Sequence, residues 1–175
     1  MLINLSDVFK EQGIVITKSA ETELTSVTVM GMSYPIVEKS PASLVFTNLE
    51  PGRAKVEGSA RFVFDAFCDR CLKEKKVELD IALLRFVVTP DLAQQEIDGV
   101  DDLSFMEGYE LNLETLIYNE IVENCPAKIL CKEDCKGLCL MCGKNLNEGE
   151  CGCDRFVPDP RMAAIKDLFN AGKEV

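Results

Sequence analysis

Between residues 55 and 68 apolar and polar side chains alternate. Val56, Gly58, Ala60, Phe62, Phe64 and Ala66 fall on one face, and Lys55, Glu57, Ser59, Arg61 and Asp65 on the other. A period of two predicts a half-buried strand. Val77, Leu79, Ile81 and Leu83 repeat the pattern against Lys76, Glu78 and Asp80. The two runs therefore read as the long antiparallel strands of one hairpin, with Cys68-Asp69-Arg70-Cys71-Leu72-Lys73 as its tip. Apolar runs at 14–17, 24–30 and 44–49, separated by Gly31, Pro35, Pro41 and Pro51-Gly52, read as shorter strands of the same sheet or barrel.

The period changes further along. Asn112 can cap a helix in which Leu113, Leu116, Ile117 and Ile121 recur at helical spacing, with Pro126 stopping it. At the C-terminus Asp159-Pro160 supplies a cap and a first-turn proline, Met162, Ile165, Leu168 and Phe169 form an apolar stripe, and Gly172 closes it. Both stripes are packing faces. The run between the two helices is too polar and too rich in Cys and Gly to form a core of its own. The fold expected is α+β: an antiparallel β-sheet or partly open barrel with two helices and a Cys-rich C-terminal lobe stapled by something other than hydrophobic burial. Residues 1–125 form the β-rich body with an acidic segment and a helix, and residues 126–175 the cysteine-rich lobe and last helix.

At 175 residues and 47% apolar composition the chain can bury one sizeable core. Its first residues lack the basic and apolar regions of a secretory leader, and no segment approaches the roughly 20 apolar residues that cross a bilayer. A cytoplasmic protein with no membrane contact is expected. The formal charge of -11 argues against a protein held to nucleic acid mainly by phosphate neutralisation. Between residues 86 and 127 there is no Lys or Arg, while Asp91, Glu96, Asp98, Asp101, Asp102, Glu107, Glu110, Glu114, Glu120 and Glu123 lie there. Such a run is either a solvated face or a surface that attracts a basic partner.

The cysteines sharpen the picture. Eight of the nine fall into close pairs, Cys68/Cys71, Cys131/Cys135, Cys139/Cys142 and Cys151/Cys153, leaving Cys125 as a buried or incidental thiol. In a reducing compartment such pairs are metal ligands more often than disulfides. Four pairs fill two tetrahedral four-thiolate zinc sites. Cys139-Leu140-Met141-Cys142-Gly143 has the form of a zinc knuckle, and Gly152 can curl the backbone so that Cys151 and Cys153 reach one ion. The favoured grouping puts Cys139, Cys142, Cys151 and Cys153 on one ion and Cys68, Cys71, Cys131 and Cys135 on the other. Spacing alone leaves open a second grouping, in which Cys131 and Cys135 join Cys139 and Cys142.

Other chemistries are less well supported. The spacing of Cys135, Cys139 and Cys142 matches that used by radical enzymes to hold an iron-sulfur cluster, but it lies near the end of a short chain. Cys68-Asp69-Arg70-Cys71 lacks the helix that lowers a redox thiol's pKa. A redox-responsive zinc switch is an alternative use of the same ligands. The chain has no His, which removes the commonest general base and most catalytic zinc sites. No enzyme is expected.

The order of features resembles the YceD family, the bacterial large ribosomal RNA subunit accumulation proteins. It is carried by Ile3-Asn4-Leu5, the Cys68/Cys71 pair, the acidic stretch leading into a helix, and the run from Cys131-Lys132-Glu133-Asp134-Cys135 through Gly137-Leu138-Cys139. Cys142-Gly143-Lys144-Asn145-Leu146-Asn147 and Asp159-Pro160-Arg161 complete it. Leu140 stands where the knuckle usually carries Pro. The resemblance implies a non-enzymatic factor supporting large-subunit ribosomal RNA accumulation and large ribosomal subunit assembly. The family's gene often neighbours one for a small zinc-binding ribosomal protein. The partner implied is a large-subunit precursor or a basic large-subunit ribosomal protein. Direct RNA contact is the alternative, through Arg70, Lys73, Lys75 and Lys76 near the first pair and Lys128, Lys132, Lys136 and Lys144 near the others.

Overall fold

The computed structural model describes residues 1–10, 12–93 and 103–153. Its elements run β1 (Leu2–Asn4), α1 (Ser6–Lys10), β2 (Val15–Ala20), β3 (Ser26–Val29), β4 (Met32–Lys39), β5 (Ala42–Glu50), β6 (Arg53–Phe67) and β7 (Glu74–Val88). Then follow α2 (Pro90–Ala93), β8 (Met106–Glu107), β9 (Glu110–Asn112) and α3 (Leu113–Asn124). The helix expected from Asp159-Pro160 to Gly172 lies outside the described residues, as do Glu96, Asp98, Asp101 and Asp102.

The long hairpin is the scaffold. β6 and β7 pair without interruption from Arg53↔Val88 to Phe67↔Glu74. On its other side β6 is shared: β5 takes its first half, from Glu50↔Arg53 to Ser43↔Ser59, and β4 takes Phe62, Val63 and Phe64. β2 extends the sheet beyond β5, and β3 extends it beyond β4. All pairings are antiparallel. A second, three-stranded sheet of β1, β9 and β8 holds the N-terminus beside the start of α3. Short strands of two or three residues carry too little periodicity to be read from sequence. The same limit hid α1 and α2.

One sequence expectation is corrected. Pro35 was expected to separate strands, yet it lies inside β4, opposite Ser26 of β3. It is tolerated because it makes no demand on the β3 ladder there: the neighbouring Ile36 N–H bonds Thr25 O on the β3 side at 2.9 Å, so the proline nitrogen faces away from β3.

α3 forms where its cap predicts. Asn112 Oδ1 accepts from the Thr115 N–H at 3.3 Å, and the chain leaves the helix at Cys125, just before Pro126. The helix buries Leu113, Leu116, Ile117 and Ile121 against β7 and β3, each such side chain contributing about 1.5–3 kcal/mol by leaving water. They join one core with Phe46, Phe62 and Leu44 from the sheet. Part of the acidic stretch is used inside the fold. Glu114 accepts from the Thr22 hydroxyl at 2.5 Å and the Glu23 N–H at 2.9 Å. Glu120, 3% exposed, meets Arg85 Nε at 2.7 Å, and Glu123 meets the same guanidinium at 2.5 Å. Cys125 packs at the edge of the core, and burial pushes its thiol up.

Candidate metal centres

The two x2 pairs adopt one local conformation. At the hairpin tip Cys68 N–H bonds Lys73 O at 2.9 Å and Leu72 N–H bonds Cys68 O at 2.8 Å. In the later segment Cys139 N–H bonds Lys144 O at 2.8 Å and Gly143 N–H bonds Cys139 O at 2.8 Å. Both turns need a left-handed residue after the second cysteine. Gly143 fills it at φ 73, and Leu72 fills it at φ 58 with a side chain that pays a steric penalty there.

These knuckles gather the remaining cysteines into two groups. Cys68, Cys71, Cys131 and Cys135 form one, and Cys139, Cys142, Cys151 and Cys153 the other, with the sulfurs of each group all within 4.8 Å of one another. In the first group Cys68 Sγ lies 3.7 Å from Cys135 Sγ and Cys71 Sγ lies 3.5 Å from Cys131 Sγ. The edge of a tetrahedron with metal–sulfur bonds of 2.3 Å is about 3.8 Å. The donors therefore already sit near ligand spacing. Gly152 has φ 70 between Cys151 and Cys153, the curl that an extended backbone cannot supply. Both groups could hold a metal ion.

Four thiols this close cannot all ionise without a cation. Burial opposes the charge on Cys68, but the backbone N–H groups of Cys131, Arg70 and Cys71 outweigh it and lower the thiol to about 6. Its neighbour Cys131 is pushed up to about 12, by burial and then by the sulfurs of Cys135, Cys71 and Cys68. The second group divides in the same way. Cys151 is lowered to about 6, first by the Cys153 N–H, and Cys153 is pushed up to about 12 by Cys142 and Cys151. A divalent cation resolves both conflicts by making every thiolate favourable.

The first group joins parts of the chain distant in sequence, and hydrogen bonds hold the join. Asp69 N–H bonds Ile129 O at 2.8 Å, while Asp69 Oδ2 accepts from the Ile129 N–H at 2.7 Å. Arg70 donates to Cys135 O at 2.9 Å, and Arg70 O accepts from Leu138 N–H at 3.0 Å. Asn147 donates to Cys135 Sγ at 3.4 Å. Cysteine spacing gave no sign of these supporting roles, that of Asn147 included. The one available signal is that Asp69 and Arg70 are polar residues enclosed by a cysteine pair. The groups differ in cover: Cys68, Cys71 and Cys135 are buried, whereas in the second group only Cys139 is, and Cys142 is exposed.

An uncharacterized protein of Mycobacterium tuberculosis (strain ATCC 25618 / H37Rv) is 30% identical over 102 residues, which are 58% of this chain and 49% of that protein. One from Mycobacterium bovis matches to the same extent. The Arabidopsis thaliana protein named large ribosomal RNA subunit accumulation protein YCED homolog 1, chloroplastic, is 28% identical over 142 residues, covering 66% of this chain and 44% of its own length. The chain thus spans about half the length of the curated relatives it matches. No solved structure matches. The family model described as large ribosomal RNA subunit accumulation protein YceD matches residues 56–169, from the core of the long hairpin past both cysteine groups, and the chain belongs to the YceD family.

Proposed function

We propose that this protein is a non-enzymatic factor that supports accumulation of large-subunit ribosomal RNA and assembly of the large ribosomal subunit in the cytoplasm. The observation that carries the reading is the family match across both cysteine groups. On this reading each group holds one structural zinc ion. Four Cys donors leave no open coordination position for a substrate. Residues 126–175 are then a metal-stapled lobe fastened to the β-rich body of residues 1–125. Binding of about 10–16 kcal/mol per zinc in model fingers rivals the whole net stability of a domain, so the first ion alone can fix where the lobe docks.

The partner on this reading is a basic large-subunit ribosomal protein, attracted by a chain of charge -11. Much of the basic charge near the metal centres is engaged internally: Arg70 with Cys135 O, Lys75 with Leu130 O, Lys76 with Glu38, Lys132 with Asp134, and Lys144 with Glu150 O. That leaves Lys73, Lys128 and Lys136 for a phosphate backbone and favours a protein partner over direct RNA contact. Removing the gene should lower large-subunit RNA relative to small-subunit RNA, and wild-type protein should restore it. Affinity-tagged protein should recover a large-subunit ribosomal protein at low salt and lose it at high salt. Unchanged RNA ratios would defeat the role, and recovery of none at either salt would defeat the partner.

A further inference from the structure

β4 and β6 separate at a proline. Their ladder runs through Lys39↔Phe62, Glu38↔Val63 and Ile36↔Phe64 and goes no further. The nitrogen of Pro35, turned toward β6, has no hydrogen with which to extend it. Beyond that point residues 32–35 are paired to β3 alone and residues 65–67 to β7 alone. The two hairpins open into a cleft of ≈ 910 Å³ that ends at the first knuckle.

Backbone groups face this cleft unpaired by any strand. Cys68 N–H bonds Lys73 across the β7 side, so alternation turns the peptide groups of Phe67 inward, and those of Ser33 face it from β4. Large apolar side chains line it in the open: Met32 is 52% exposed, Phe67 57% and Leu72 63%. Leu72 also holds a left-handed conformation that its counterpart position gives to Gly143, and strain at an exposed residue points to use. Charge sets the sign of the occupant. Three carboxylates, Asp65, Asp69 and Glu74, line the cleft against two ammonium groups, Lys75 and Lys76, and the latter donate to Leu130 O and Glu38. The excess is acidic, and Asp65 and Glu74 have no basic partner among the described residues.

We propose that the cleft docks an extended cationic segment of a partner protein, added as a strand to the open edges of β4 and β6. Strand addition supplies main-chain hydrogen bonds at Ser33 and Phe67. Phe67, Met32 and Leu72 take alternate apolar residues, and Asp65 and Glu74 take the intervening Lys or Arg. This deepens the reading of a basic protein partner and rests on it for the partner's class.

The test uses the full chain with a fluorescein-labelled peptide of four Lys-Val repeats, followed by anisotropy at physiological salt. A Glu-Val peptide reverses the charge, and a Lys-Pro peptide keeps the charge but cannot form a strand. The Lys-Val peptide should bind, and the other two should not. Ser33→Pro and Phe67→Ser should each weaken binding about tenfold or more. Phe67→Ser alters an exposed side chain and keeps the test valid if Ser33→Pro fails to fold. Bound peptide should slow amide exchange at Phe67. Equal binding of the Lys-Pro peptide, no effect of Phe67→Ser, or no binding by wild type would overturn the proposal, as would occupation of the cleft by a single-stranded oligoribonucleotide in place of the peptide. Peptide binding without recovery of any ribosomal protein from cells would sink the ribosomal protein as partner and leave the cleft standing.

Discussion

The side-chain amide of Asn147 donates to the sulfur of Cys135 at 3.4 Å, so a residue from the loop of the second cysteine group braces a cysteine of the first. Its Oδ1 accepts from Lys136 N–H at 2.9 Å, which fixes the direction of the amide. Hydrogen bonds to a ligand orient it and stabilise its ionised form. Asn147→Ala should lower metal affinity at the first group by about ten- to a hundredfold, with little change at the second. Asn147→Asp should do worse, because a carboxylate cannot donate and repels the thiolates. Competition against a chromophoric chelator measures both, and unchanged affinity in Asn147→Asp would contradict the bracing role.

Leu72 offers a test with two signs. Its left-handed backbone costs a non-glycine residue roughly 1–2 kcal/mol, and an exposed side chain recovers little of that. Leu72→Gly, after about 0.5–1 kcal/mol of added chain entropy is subtracted, should stabilise the metal-loaded protein by about 0.5 kcal/mol in denaturant unfolding. The same change should weaken binding of the Lys-Val peptide. Loss of stability would show that Leu72 is held by packing.

The long hairpin and α3 were legible in the sequence because each carries many side chains of one period with recognisable ends, such as Asn112 and Pro126. Pro35 misled because its meaning depends on a partner strand: sequence shows that it lacks a donor, not which neighbour is asking for one. The cysteine pairs were legible as clusters from their spacing. Spacing favoured the grouping that the structure shows but left another open, because joining Cys68 and Cys71 to Cys131 and Cys135 depends on Asp69, Arg70 and Ile129 meeting across some 60 intervening residues. The acidic run was legible as charge, yet Glu114 is tied to Thr22, and Glu120 and Glu123 to Arg85, with Glu120 buried, which composition cannot reveal.

Acid should release the metals, with a defined proton count. At pH 7 Cys68 and Cys151, lowered to about 6, are already largely ionised, whereas Cys131 and Cys153, pushed up to about 12, still hold protons. Metal binding converts all of them to thiolates. Each ion should therefore release fewer than four protons at pH 7. The number should rise as pH falls through 6 and Cys68 and Cys151 become protonated in the free chain, with affinity falling in step. Calorimetry in buffers of different ionisation enthalpy gives the count, and a value independent of pH would contradict this division among the thiols.

The two ions should leave in order. The second group has one buried cysteine and an exposed Cys142, while the first has three buried, so a chelator should extract the second ion faster. Asn147 lies in the loop that the second ion closes, and its loss of anchorage should then speed release of the first. Two-phase kinetics are expected, with the slow phase accelerated in Cys142→Ser. A single phase shared by both ions would contradict the difference in cover.

The claim underlying all of these outcomes is that two closed thiolate–metal clamps hold residues 126–153 against the hairpin tip. Native mass spectrometry of freshly isolated, reduced protein, paired with hydrogen exchange before and after chelation, measures it directly. The account predicts two zinc ions per chain and, on their removal, loss of amide protection at Asp69, Ile129 and Leu138 while the β5–β6–β7 sheet stays protected. A metal-free chain that keeps protection at those three amides would contradict it.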